Sequence, residues 1–255
     1  MPLSAQVAPG YAATQLACAR FHETVRSDLT LQTAGRTATA RSGRDSYLIV
    51  AVAAGPAAPQ MLLVAWFDSL AVWRSAGGNR LEPDASGVLG GRYRGVLLPD
   101  GSVSMEVSPF VPAGVREVMD LAGALDGVFP RLPPRVLQAG EEWRSGDTLA
   151  IKRLSDSAAL QRYQVQRTLR GLVPPPPGDT LTPSYDRSLN DRGIAVWEPS
   201  RGPLRYDHDV TVEASVPVGG AIRNPVRSLV EQQILLERVA DPPAGTCPGT
   251  LFQEP

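Results

Sequence analysis

Lysine, histidine and cysteine are scarce in this chain: one Lys (Lys152), two His (His22 and His208) and two Cys (Cys18 and Cys247) in 255 residues. The single lysine would have to carry any Schiff-base chemistry alone, and it reads as the outer face of a strand. No Gly-x-Ser-x-Gly elbow and no Gly-x-x-x-x-Gly-Lys phosphate loop occurs. No stretch approaches the ~18 consecutive apolar residues that a membrane-crossing helix needs. A surplus of one charge is also missing. With 25 basic against 26 acidic residues there is no electrostatic footprint of a nucleic-acid binder. Aromatic residues make up only 6% of the chain, so Trp66, Trp73, Trp143 and Trp197 read as core rather than as an exposed stacking surface.

Glycine and proline are plentiful. At 24 each they form about 19% of the chain, against roughly 12% in average usage, too much for a helical bundle and too little for collagen or a low-complexity tail. Nearly all the basic residues are Arg, whose planar fork and weaker hydration suit interfaces. The length allows one large domain or two of ordinary size.

The pattern predicts a mainly β protein, a curved antiparallel sheet or sandwich of about ten strands, with one main helix and long Pro-rich loops. Residues 1–18 read as an extended arm, 19–239 as a single β-rich domain and 240–255 as a tail. The domain divides into two possible β-units, 19–128 and 147–239, joined by a Pro-rich bridge. From Ala19 the residues alternate, with Ala19, Phe21, Glu23 and Val25 on one face. Strands are expected over 36–41, 47–53, 61–67 and 70–73. Two of these, 47–53 and 61–67, are apolar enough to be buried on both faces. Pro99-Asp100-Gly101 turns a hairpin between 92–98 and 102–107. Val115, Val118, Met119, Ala122 and Leu125 predict a helix over 113–128, weakened by Gly123 and Gly127. Strands resume at 148–154, 160–169, 193–197, 204–216 and 226–239, the last also compatible with a helix. Pro174 to Pro177 predict a stiff polyproline loop. The stretch from Arg94 to Gly101 is echoed from Arg192, as strand, Pro turn and strand.

Candidate chemistry is thin. In Tyr206-Asp207-His208-Asp209 a strand sends both carboxylates to one face and the imidazole to the other, which argues against a local metal site and predicts a solvated face. His22 lies mid-strand. Glu141 and Glu142 are chain neighbours pointing apart, so they do not form a glycosidase pair. Cys18 and Cys247 are compatible with one disulfide tying the first strand to the tail, or with two unrelated thiols; their spacing fits no metal motif. Met1-Pro2-Leu3-Ser4-Ala5-Gln6 has the small-residue character that ends a secretory signal, without a charged or apolar region before it, and suggests an extracytoplasmic, periplasmic protein peripheral to a membrane.

The order of signals from Arg92 to Trp143 runs through strand, Pro-Asp-Gly turn, strand and amphipathic helix. It continues with Phe129-Pro130-Arg131-Leu132-Pro133 and then Gly140-Glu141-Glu142-Trp143. This resembles a loosely defined group of uncharacterised bacterial secreted and lipoprotein-type β-domains, in which the last element usually reads Gly-Asp-Ser-Trp. The resemblance makes Gly140, Glu141 and Trp143 a structural motif and implies an extracytoplasmic β-domain without an assigned activity. At fold level there is a more distant likeness to half-barrel carriers of lipids and lipoproteins, in which helices plug a curved sheet. The expected function is a non-enzymatic, periplasmic interaction or scaffold protein, an extrinsic subunit of a bacterial membrane complex such as a photosynthetic or respiratory one. It has protein partners, no nucleic acid, no membrane span, no cofactor, no metal and no catalytic residues. The alternative is a carrier or sensor of a lipid or other apolar ligand, with a cavity lined by residues such as Val50, Leu63 and Val96. A third reading, a hydrolase, needs His22 or His208 in a cleft.

Overall fold

The computed structural model describes residues 8–33, 35–119, 121, 123–125, 127–156, 160–174, 184–217 and 225–253. In chain order the strands are β1 (Ala19–Thr33), β2 (Arg36–Ala54), β3 (Met61–Ala76), β4 (Asn79–Leu81), β5 (Tyr93–Leu97), β6 (Val103–Val107), β7 (Glu142–Ser145), β8 (Leu149–Arg153), β9 (Gln161–Val173), β10 (Tyr185–Glu198), β11 (Gly202–Val216) and β12 (Val226–Arg238). They form one open, curved, antiparallel sheet in the order β6-β5-β3-β2-β1-β12-β11-β10-β9-β8-β7, with β4 paired to β3. The expected mainly-β, curved-sheet class is what the chain adopts. The segment 226–239, which also fits a helix by pattern, is a strand.

Several strands run longer than their apolar cores. The pieces expected at 36–41 and 47–53 are one strand, β2, and those at 61–67 and 70–73 are one strand, β3. The backbone ladder carries on through Ser42, Arg44 and Asp45 because main-chain pairing does not require apolar side chains. Register across the sheet puts Phe21, Glu23 and Val25 on the same face as Leu48, Ser46 and Arg44, and as Leu236 and Ile234. This inner face bears the core. The apolar runs in β2 and β3 are buried on both sides, with Ile49, Ala51 and Val64 buried on the outer face. Leu251 in the C-terminal tail is buried as well, and its carbonyl accepts a 2.9 Å hydrogen bond from Arg94 Nη1 on that outer face.

Only six residues of the expected helix 113–128 are helical, in α1 (Ala113–Val118). Pro112 gives no side-chain cap, and Gly114, Gly123 and Gly127 each cost a helix about 1 kcal/mol relative to Ala. The rest of the segment runs irregularly across the inner face. It buries Leu121, Leu125, Val128, Phe129, Leu132 and Leu137, a spread wider than one helical stripe. Its carbonyls are met by buried tyrosines. Tyr93 Oη donates to Leu121 O (2.8 Å), and Tyr11 Oη donates to Pro130 O (3.0 Å). Tyr11 and Leu16, from the segment read as an extended arm, are core residues. Of the polyproline loop, residues 175–177 lie outside the described residues.

Candidate functional site

The covering segment fills only part of the inner face. Around Leu48, Val50, Leu63 and Phe67 the core is closed, and these side chains are essentially inaccessible. The cavity expected at Val50, Leu63 and Val96 is therefore absent among the described residues. Leu121, Leu125 and Phe129 join the same core cluster as Val50 and Leu63, while Val96 belongs to the outer face.

A cavity of about 480 Å³ opens elsewhere, between Gly123 and Gly127 of the covering segment and the inner faces of β9 to β12. Leu169 and Val173 (β9), Leu189 (β10), Val210 and Val212 (β11) and Ile234 (β12) supply its apolar lining. The same apolar row continues, half-buried, through Val230 to Leu29 on β1, which the register sets beside it. The volume falls within the roughly 300–1,000 Å³ of small-molecule sites.

His208, Asp191, Arg167 and Gln232 supply the polar groups toward one end of this cavity, and Arg170 and Arg187 those toward the other. The expectation of a solvated His208 is overturned: its side chain is 1% exposed, and its Nδ1 lies 2.8 Å from Asp191 Oδ1. The carboxylate comes from the neighbouring strand rather than from Asp207 or Asp209, which lie on the outer face as the alternation predicts. Asp191 pairs with Val210 and Gly193 pairs with His208, so the two side chains meet on the diagonal of the β10–β11 ladder. Gly193 makes the arrangement possible, because a Cβ there would stand 2.3 Å from His208 Cβ and 2.8 Å from Tyr206 Cε2. In the space it leaves, the rings of Tyr206 and His208 stack with centroids 4.1 Å apart. Burial, reinforced by the nearby Asp191 charge, pushes the Tyr206 hydroxyl far above the ordinary phenol range, against a smaller opposing effect of Arg167. On its other side the imidazole meets Gly127, where a Cβ would lie 3.3 Å from Nε2. That nitrogen is buried and has no hydrogen-bond partner.

The other residues singled out in the sequence lie away from this cavity. Cys18 and Cys247 are joined in a disulfide. His22 is on the outer face, 3.2 Å from Asp45 Oδ2 and stacked on Tyr47. Gly140, Glu141 and Trp143 form a corner at the start of β7. Gly140 has φ 85°, and its N–H donates to Arg153 O (2.7 Å). The Gln138 N–H and the Arg135 guanidinium hold the Glu141 carboxyl below its usual range. Trp143 packs against the core. Asp191, Arg167, Arg187, Gly193 and Gly127 were not singled out in the sequence as site residues. The signal for Asp191 was the hairpin register around Pro199 to Gly202, hidden by a bulge at Val196/Trp197.

No family model matches the chain, and no curated protein matches it. Among solved structures, one of lipid–protein interactions in lipovitellin is similar over 90% of this chain, with a TM-score of 0.50 and 13% identity. The match covers 26% of the lipovitellin chain, so this protein corresponds to about a quarter of it. The likeness is one of fold: a large open antiparallel sheet. A DUF1329 family protein from Desulfovibrio piger aligns over 93% of this chain and 92% of its own, at 11% identity. Its TM-score of 0.19 supports no argument. No helix among the described residues is long and apolar enough to cross a membrane, which says nothing of strands.

Proposed function

We propose that this protein is a non-enzymatic carrier or receptor of an apolar, chain-like ligand such as a lipid, held against the inner face of β9 to β12. One observation carries the reading. Where the covering segment leaves the inner face, Leu169, Leu189, Val210, Val212 and Ile234 stand beside Arg167, Asp191 and His208 around a half-open recess of about 480 Å³. A recess of this size, lined in roughly equal parts by apolar and polar groups, is a place for an amphiphilic ligand. The lipovitellin neighbour, whose structure concerns lipid–protein interactions, supports the same reading at the level of fold. The disulfide fits an oxidising, extracytoplasmic setting. The scaffold-subunit expectation has no comparable support.

The test has two parts. Protein purified without detergent is extracted and its lipids identified by mass spectrometry. Displacement of a fluorescent fatty acid is then titrated with Leu189→Asp, Val212→Asp and, on the outer face, Ile194→Asp. A charge placed in the apolar cavity is expected to weaken binding at least about tenfold, and the outer-face change to have no effect. Absence of both co-purifying lipid and probe binding overturns the proposal.

A further inference from the structure

We infer that the ligand carries an anionic head group, and that His208 and Arg167 hold it at the glycine-lined side of the cavity. This rests on the apolar-ligand reading above and names the class of molecule that the site selects.

The first observation is the unused imidazole nitrogen. Asp191 Oδ1 lies 2.8 Å from Nδ1, which fixes the ring and places a proton on that nitrogen. Nε2 is left buried without a partner, in a side chain that is 1% exposed and lines the cavity. A buried polar atom without a partner is costly, and a ligand oxygen would remove the cost. A ligand acid group that gives its proton to Nε2 leaves the ring donating to Asp191 on one side and to the ligand's anionic oxygen on the other. Gly193 lies against the His208 Cβ and Gly127 over the Cε1–Nε2 edge of the ring, so at that edge the described residue carries no side chain.

The second observation is the charge balance. Arg167, the cross-strand partner of Asp191, lines the cavity beside His208, and Arg170 and Arg187 line it farther along the sheet. Among the described residues Arg167 makes no ion pair or side-chain hydrogen bond. The single lining carboxylate, Asp191, is already taken by His208. The Arg167 guanidinium fork beside His208, next to the Leu and Val side chains of the recess, is complementary to a carboxylate or phosphate at the end of an acyl chain. An ester or an alcohol would leave the guanidinium unmatched.

The experiment is competition against the fluorescent fatty acid with palmitate, hexadecyl phosphate, methyl palmitate and inorganic phosphate. At least one anionic amphiphile should bind about tenfold or more tightly than methyl palmitate. Arg167→Gln, alone or with Arg187→Gln, should abolish that preference while leaving methyl palmitate affinity unchanged. His208→Asn, whose amide can still donate to Asp191, should reduce anion affinity alone. If that variant fails to fold, the arginine pair, at half-exposed and exposed positions, still decides the matter. Equal binding of palmitate, hexadecyl phosphate and methyl palmitate, or a preference that survives the arginine changes, overturns the head-group inference and leaves the apolar-ligand reading standing. Inorganic phosphate binding as tightly as hexadecyl phosphate shows a free-phosphate site and overturns the amphiphile. No binding of any amphiphile overturns both readings.

Discussion

Glu23 and Arg44 form an ion pair in the middle of the inner face, where the closed core gives way to the open cavity. Arg44 Nη2 and Nε donate to the two carboxylate oxygens of Glu23 at 2.7 and 2.9 Å, and Ser46 Oγ donates at 3.1 Å. The side chains are only 7% and 4% exposed. The fork-on-fork geometry offsets part of the desolvation cost, but such a pair is weak support for stability as long as both partners are present. Removing one partner is a different matter, because the other charge stays buried. Glu23→Ala should therefore cost about 3–5 kcal/mol, whereas Glu23→Leu combined with Arg44→Met should recover most of the loss. Urea unfolding with an unchanged slope measures both. A loss below about 1 kcal/mol for the single change would mean that water reaches Arg44. The alternation from Ala19 to Val25 already places Glu23 on the core face. Its partner is not legible, since the Arg44 pairing depends on the register of β1 against β2.

The element that decides how much of the inner face is open is the covering segment, residues 111–138. Its apolar residues recur at helical spacing, yet beyond Val118 the sheet's breadth outweighs local periodicity, because Leu121, Phe129 and Leu137 must each reach the core. Sequence therefore shows that the segment covers the sheet, and misplaces the vacancy. The most apolar strands, β2 and β3, invite a lipid cavity, but for the same reason they attract the covering segment and are filled. The open part is the less apolar stretch of β9 to β12, where polar residues alternate with Leu and Val. The Pro99-Asp100-Gly101 turn, clear in the sequence, also docks this segment. Asp100 O accepts from Leu132 N (3.0 Å), and Arg131 Nη2 donates to Asp100 Oδ2 (2.6 Å). Partial burial pushes the Asp100 carboxyl up, but Ser102, through its N–H and hydroxyl, and the Arg131 charge together bring it below its ordinary value. A depressed folded pKa means that this contribution is complete above the ordinary carboxylate range of about 3.9 and is lost as pH falls through the lower folded value. Hydrogen exchange of the amides near Leu132, taken relative to each amide's intrinsic rate, should accelerate below about pH 4. In Asp100→Asn it should already be faster at neutral pH and vary less with acid. Equal acid sensitivity in the two proteins would assign the effect to other carboxylates.

Across the whole molecule, the sheet order sets β1 beside β12 at the centre, so the first and last strands adjoin and the two flanks extend outward from them. Just outside these strands Cys18 and Cys247 are bonded, closing a loop with a sequence separation of 229. In the folded protein the β1–β12 ladder already holds the two flanks together, from Phe21↔Arg238 to Gln32↔Arg227. The disulfide therefore acts mainly on the unfolded chain, whose freedom it restricts, and on the tail, whose buried Leu251 it keeps near the outer face. Replacing both cysteines by serine should lower stability by about 2–5 kcal/mol. For a chain of this size that is a fall in Tm of roughly 5–20 °C. The tail should become accessible to protease under native conditions, while fatty-acid affinity stays within about twofold, because the cavity on β9 to β12 does not include the disulfide. Tail cleavage without any change in the unfolding midpoint would make the bond a local clasp. A parallel loss of ligand binding would mean that the tail and the cavity are coupled through β1 and β12, the strands they share.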